Sequence, residues 1–109
     1  MTPSPPSPDT AVIAPEGEVD IAHIGDFRAA LRDALGGDAV RVVVDLSDVS
    51  FIDSSGLGAV LEMHARLQRD QRQLAVVAPG GTAAAVLLNL AGLRDRLPVF
   101  DTRGAALGT

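Results

Sequence analysis

The sequence predicts a single α/β domain with a mostly parallel sheet, and three observations lead there. The chain has 109 residues, room for one domain, one core and a modest tail. Val42-Val43-Val44 is a run of β-branched residues, the pattern of a strand buried on both faces. Strand-like and helix-like segments alternate along the chain, which requires crossover connections and therefore parallel strands.

The elements follow in order. Residues 1–10 contain four prolines and no apolar residue beyond Met1, so they read as a disordered or polyproline-like tail, with the domain spanning 11–109. Ala11 to Glu18 reads as the first strand, which Pro15 demotes to an edge or a bulge. Ile24, Phe27, Leu31 and Leu35 recur at helical spacing, and Gly36-Gly37 supplies a stop. Val40 to Leu46 is the central strand. The amphipathic series Leu57, Val60, Leu61, His64 and Leu67 marks a second helix starting near Ser54 or Ser55 and running to about Asp70. Leu74 to Ala78 gives a third strand, closed by Pro79-Gly80-Gly81. Thr82 is a natural cap for a third helix, with Ala83, Val86, Leu87 and Leu90 facing inward and Gly92 ending it. Val99-Phe100 suggests a short last strand, and Arg103 to Leu107 a short helix.

Composition excludes several chemistries. With no Cys there is no disulfide, thiolate ligand or cysteine nucleophile. All nine basic residues are Arg, so P-loop, Schiff-base and lysine-base mechanisms are absent. A formal charge of −5 without a basic cluster makes nucleic acid a poor partner. No apolar run approaches the roughly 18 to 20 residues that span a bilayer, and the N-terminus lacks the basic and apolar regions of a secretory signal. The expectation is a soluble, cytoplasmic domain without direct membrane insertion. Aromatics are limited to three Phe, so Val, Leu, Ile and Ala must build the core.

The stretch from Val42 to Gly58 organises the rest. It opens as the central strand and closes with Asp53-Ser54-Ser55-Gly56-Leu57-Gly58, with a helix following at once. The first N–H groups of a helix lack intrahelical partners and lie at its electropositive end. A hydroxyl there either caps the helix or, once phosphorylated, places a dianion where those groups favour one.

The run Asp-Leu-Ser-Asp-Val-Ser-Phe-Ile-Asp-Ser-Ser-Gly-Leu-Gly over 45–58 resembles the signature of STAS domains, specifically the bacterial anti-sigma factor antagonists. Gly17-Glu18-Val19-Asp20 resembles the family's Gly-Glu-Leu-Asp, and Leu90-Ala91-Gly92-Leu93 its small-residue-Gly-Leu segment. The spacing of the three fits over roughly residues 11–101. Two departures stand out: the proline tail occupies the place of a strand usual in the family, and His23 stands where a Ser or Thr cap is usual. The resemblance implies the STAS fold, a small mixed but mostly parallel sheet with helices mainly on one face.

It also implies a function. Unphosphorylated, such a protein binds an anti-sigma factor that is also a serine kinase, which frees a sigma factor for transcription. A PP2C-type serine phosphatase restores the active form. The serine directly after the motif Asp is the acceptor, which maps to Ser54, with Ser55 as runner-up. Asp20, Asp53, Ser54, Ser55, Gly56, Leu57 and Gly58 would form the partner-binding surface. Asp53 either orients the Ser54 hydroxyl or contacts the kinase, or is a solvated loop carboxylate. Gly56 and Gly58 lack the third glycine of a dinucleotide fingerprint, position 61 being Leu, and read as positions where a partner approaches the backbone closely.

Other readings fit the residues less well. A nucleophile elbow needs Gly where Ile52 stands, and the two histidines, His23 and His64, lack metal-ligand spacing, so neither a hydrolase nor a metal or cofactor site is expected. A receiver domain needs a Lys that the chain does not contain. The alternative from another class is a STAS subunit or domain of a membrane transport assembly for lipids or anions.

Overall fold

The computed structural model describes residues 9–108. Its elements in chain order are β1 (Thr10–Ile13), β2 (Gly17–Val19), α1 (Ile24–Gly36), β3 (Arg41–Asp45), β4 (Val49–Ile52), α2 (Ser54–Arg69), β5 (Gln73–Val77), α3 (Ala83–Leu90), β6 (Val99–Phe100) and α4 (Arg103–Ala106). Four strands form one sheet in the order β1-β3-β5-β6, while β2 and β4 form a separate pair. Every described pairing is parallel. Helices α2 and α3 make the crossovers from β3 to β5 and from β5 to β6, as parallel neighbours demand.

Strand β3 lies at the centre, with Val42, Val43 and Val44 all fully buried. Alternation splits it between two faces. Val42 and Val44 join Leu74 and Val76 of β5 against Phe27 and Leu31 of α1 and Val60, Met63 and Leu67 of α2. Val43 joins Ala75 and Val77 against Ala106 of α4. The large helices therefore share one face, and short α4 closes part of the other. Burying each valine contributes about 1.5–3 kcal/mol, which makes this strand the sheet's anchor.

Two arginines and a buried carboxylate fasten the ends. Arg72 donates to the carbonyls of Ala34, Leu35 and Ala39, serving the open end of α1, whose last turn has no cation of its own. Arg103 donates from Nε to Asp45 Oδ2 at 2.9 Å, holding α4 to the end of β3. Burial pushes the Asp45 carboxyl up. Hydrogen bonds from the Ser47 hydroxyl and N–H, with the Arg103 guanidinium, more than offset it and leave the group below its usual range.

Several expectations need correction. The single strand expected over Ala11–Glu18 is two strands: β1 pairs with β3, and β2 with β4. Between them Pro15 has no N–H for a ladder, and Gly17 takes φ +75 before the register shifts at Glu18. Thr10, placed in the tail by the sequence, is the first residue of β1. The remainder of the expected tail and the question of a preceding strand lie outside the described residues. Strand β4 is an element the sequence reading does not contain, because its order of buried Val49, exposed Ser50 and Phe51 and buried Ile52 matches no simple period. Helix α3 buries Ala84, Ala85 and Leu88, whereas Val86 is 50% exposed and Leu90 is 80% exposed. In α2 the buried stripe is Leu57, Val60, Met63 and Leu67, with Leu61 and His64 only half-buried at its margin.

Candidate functional site

The candidate site lies where β2 and β4 both end. Their parallel register sets Val19 beside Ile52, so the next residues, Asp20 and Asp53, come out side by side. The Asp53 N–H donates to the Val19 carbonyl at 3.3 Å, continuing the ladder into the loop. The juxtaposition of Asp20 with the Asp-Ser-Ser segment, expected from adjacent parallel strands, is thus present in the structure.

Asp53 is the N-cap of α2, in extended backbone conformation with φ −112 and ψ −173. Its Oδ1 accepts from the N–H groups of Ser55 at 2.9 Å and Gly56 at 3.3 Å. Its Oδ2 accepts from the N–H of Ile21 at 3.1 Å. One carboxylate thus caps the helix and ties down the loop after β2, and neither serine caps. Asp is among the strongest N-cap residues, so its place just before the helix was the available signal. The tie to Ile21 had no sequence signal.

Ser54, the first residue of α2, is exposed, and Ser55 is half-buried. Neither hydroxyl has a hydrogen-bond partner among the described residues. Two of the helix-end N–H groups that an anion at Ser54 could use, those of Ser55 and Gly56, already bind Asp53. The helix mouth is therefore less open to a dianion than bare N–H groups would make it.

The glycines differ. A Cβ on Gly56 would lie 2.8 Å from both Cγ1 and the carbonyl oxygen of Val19, and 2.9 Å from Cγ1 of Ile52. Gly56 is thus required by packing inside this chain, a reason for glycine that needs no partner. Leu57 is 6% exposed and belongs to the core, so its side chain offers a partner little. Gly58 is exposed, and a Cβ there would meet nothing within 4 Å.

Asp20 is engaged with the first turn of α1. Its Oδ1 lies 2.6 Å from His23 Nδ1 and accepts from the His23 N–H at 3.0 Å. His23 is the N-cap residue but gives no side-chain cap; its own N–H is held by Asp20, three residues earlier. The hydrogen bond from His23 lowers the Asp20 pKa, and the same contact raises that of His23. Glu18, Asp20 and His23 bring ligand atoms within 4.8 Å of one another, all in solvent-accessible positions. Asp20 and His23 already satisfy each other as a hydrogen-bonded pair. The other histidine, His64, is half-buried on α2 with its Nδ1 unpartnered, in a hollow shared with Gln68 and Gln73.

Comparison with known proteins agrees with this layout. The STAS domain family matches residues 4–106. The structure is similar to that of an anti-sigma factor antagonist from Mycobacterium paratuberculosis, at 27% identity over 92% of this chain and 84% of that one, with a TM-score of 0.83. It is similar to a putative anti-sigma factor antagonist from Thermotoga maritima, at 26% identity over 92% and 86%, with a TM-score of 0.79. A sulfate transporter family protein from Wolinella succinogenes shares the fold, at 18% identity over 92% and 83%, with a TM-score of 0.73. With the family matched over nearly its whole length, and its motif lying at the end of β4 and the mouth of α2, the chain belongs to the STAS domain family.

Proposed function

We propose that this STAS domain is an anti-sigma factor antagonist gated by phosphorylation of Ser54. The observation that carries the reading is the exposed Ser54 hydroxyl, free of hydrogen bonds, at the first position of a helix whose cap is a different residue. A kinase can reach it without dismantling a structural contact, whereas Ser55 is half-buried. The two antagonists similar at 26–27% identity support the partner class.

In the unphosphorylated form, the surface around Asp20, Asp53, Ser54 and Gly58 binds an anti-sigma factor that is also a serine kinase, which releases a sigma factor. Phosphorylation adds about −1.5 to −2 charge beside two carboxylates. A partner pressed against the loop must then desolvate that charge, at a cost of several kcal/mol. Affinity falls by at least about a hundredfold, since each 1.4 kcal/mol is tenfold. A PP2C-type serine phosphatase reverses the mark, and ATP and Mg²⁺ belong to the kinase. No helix among the described residues is long and apolar enough to cross a membrane.

The test is site-mapped phosphate on wild type, Ser54→Ala and Ser55→Ala after incubation with the candidate kinase and ATP. Loss of incorporation only in Ser54→Ala supports the assignment. Loss only in Ser55→Ala moves the acceptor by one residue, and incorporation unaffected by either change sinks the switch.

A further inference from the structure

Among the described residues, strand β1 lies at the edge of its sheet. It pairs with β3 on one side and with no described residue on the other. An uncovered edge presents a row of backbone donors and acceptors to any chain that can lie alongside. Here the edge opens into a groove of about 830 Å³ between β1, the turn into β2 and one flank of α1. The floor is apolar: Ala11 and Ile13 from β1 and Ala30 and Ala34 from α1, whose small side chains keep the channel open, while Val12 packs on the opposite face of the sheet, with the cluster around Ala106 of α4. The walls are acidic. Glu16, Glu18, Asp26 and Asp33 all line the groove, all are exposed, and none takes part in a described ion pair. No arginine lines it.

The groove's lining runs along α1 from its N-cap His23 to Ala34, roughly 16 Å at 1.5 Å per residue. At about 3.3 Å per residue, an extended segment of about five residues fits that length. A strand edge with no described partner selects an extended backbone, Val12 gives small apolar side chains a neighbour on the α4 face of the sheet, and the carboxylates along the α1 flank select cations on the other.

We propose that this groove is a docking site for an extended, positively charged segment of a partner chain, which adds to the β1 edge as a fifth strand. Addition of a strand to an exposed edge is a recurrent mode of peptide recognition, with ladder bonds giving affinity and alternate side chains giving specificity. Other occupants match the chemistry less well. Residues 1–8 of this chain contain no basic residue, and Pro3, Pro5, Pro6 and Pro8 have no N–H to donate. A second copy carries the same acidic walls and a net charge of −5, so the two would repel. The site does not depend on phosphorylation at Ser54, and its test uses the unmodified protein.

The experiment is an NMR titration of the full chain with the end-capped peptide Arg-Val-Arg-Val-Arg-Val. Shift changes should concentrate at Ala11–Ile13 and along Asp26–Asp33, with slowed amide exchange in β1. Raising salt from about 0.05 to 0.3 M should weaken binding at least about tenfold, as screening predicts for exposed charges. The double variant Asp26→Asn/Asp33→Asn, changed only at exposed helix positions, should lose about tenfold while keeping the wild-type spectrum elsewhere. The peptide Arg-Gly-Arg-Gly-Arg-Gly, with equal charge but poor strand propensity, should bind about tenfold more weakly. Equal affinity for the two peptides would reduce the effect to bulk charge and overturn strand addition. Shift changes outside the groove, or an unaffected double variant, would overturn the site. If deleting residues 2–8 tightens peptide binding by about tenfold or more, the chain's own N-terminal segment is the occupant and the partner proposal fails.

Discussion

The Asp53 carboxylate accepts a hydrogen bond from the backbone N–H of Ile21, which lies 32 residues earlier in the chain. With its other oxygen on the Ser55 and Gly56 N–H groups, Asp53 joins the loop after β2 to the first turn of α2. Both walls of the candidate site are thus held by one side chain. Asp53→Ala should cost about 1–3 kcal/mol, combining a lost N-cap with an orphaned loop N–H. Asp53→Asn keeps an acceptor oxygen for the helix and should cost less than about 1 kcal/mol. Urea denaturation of the two variants checks this, and equal losses would show that charge, not cap geometry, holds the joint.

Gly56 and Gly58 should respond to alanine with opposite signs. Alanine favours helix over glycine by about 1 kcal/mol at an open position. At Gly58 nothing opposes the added Cβ, so Gly58→Ala should stabilise by about 0.4–1 kcal/mol. At Gly56 the same atom meets backbone of Val19 at 2.8 Å, which cannot rotate away, so Gly56→Ala should destabilise by about 1–3 kcal/mol. A stabilised Gly56→Ala would mean that α2 can slide off β2 freely.

The inward faces of α2 and α3 can be checked in pairs. Leu67→Ala and Leu88→Ala remove fully enclosed side chains and should each cost about 2–5 kcal/mol. Leu90, 80% exposed, should tolerate alanine within about 0.5 kcal/mol. Leu61, half-buried at the edge of the α2 stripe, should fall between the two. A large loss at Leu90 would reverse the face of α3 described above.

These helices also show what the sequence could and could not reveal. Strand β3 was legible because three adjacent β-branched residues fit only a strand buried on both sides. The α2 stripe was legible to within a residue or two because polar positions frame it. Helix α3 was not, since Ala and Leu occur all around it and periodicity carries no direction. Pro15 marked the weak point of the first strand, but that its two halves serve different sheets depends on β3 and β4, far along the chain. At the site, Asp53-Ser54-Ser55-Gly56 was plain in the motif. The division of labour within it was not, because Gly56's neighbour Val19 and Asp53's partner Ile21 are set by tertiary packing.

The Asp20–His23 pair gives the first turn of α1 a pH dependence of known sign. The pair raises the His23 pKa above the ordinary 6.5, so its contribution is fully present below that value and is lost as pH climbs through the raised one. It lowers the Asp20 pKa below 3.8, so the contact also fades as pH falls through that lowered value. Asp20→Asn should return the His23 titration towards 6.5, as read from its ring-proton NMR shifts. An unchanged His23 titration would exclude Asp20 as the cause.

Phosphorylation should separate stability from affinity. Because Asp53 caps α2, Ser54→Ala loses no cap and should change stability by less than about 0.5 kcal/mol. A phosphate on Ser54 gains the general attraction of the helix N-terminus, about 0.3–1 kcal/mol. It does not gain the Ser55 and Gly56 N–H groups, which Asp53 occupies, and it is repelled by that same carboxylate. These effects oppose one another, so the phosphorylated protein should unfold within about 1 kcal/mol of the unmodified one. Affinity for the anti-sigma partner should nevertheless fall at least about a hundredfold, because only the complex must strip water from the new charge. Asp53→Asn offers an internal check: with less repulsion at the helix mouth, its phosphorylated form should be relatively more stable than phosphorylated wild type. Parallel denaturation and binding measurements on the four species decide the matter. If phosphorylation unfolds the domain by several kcal/mol, binding is lost through the fold, and the surface-charge mechanism is wrong.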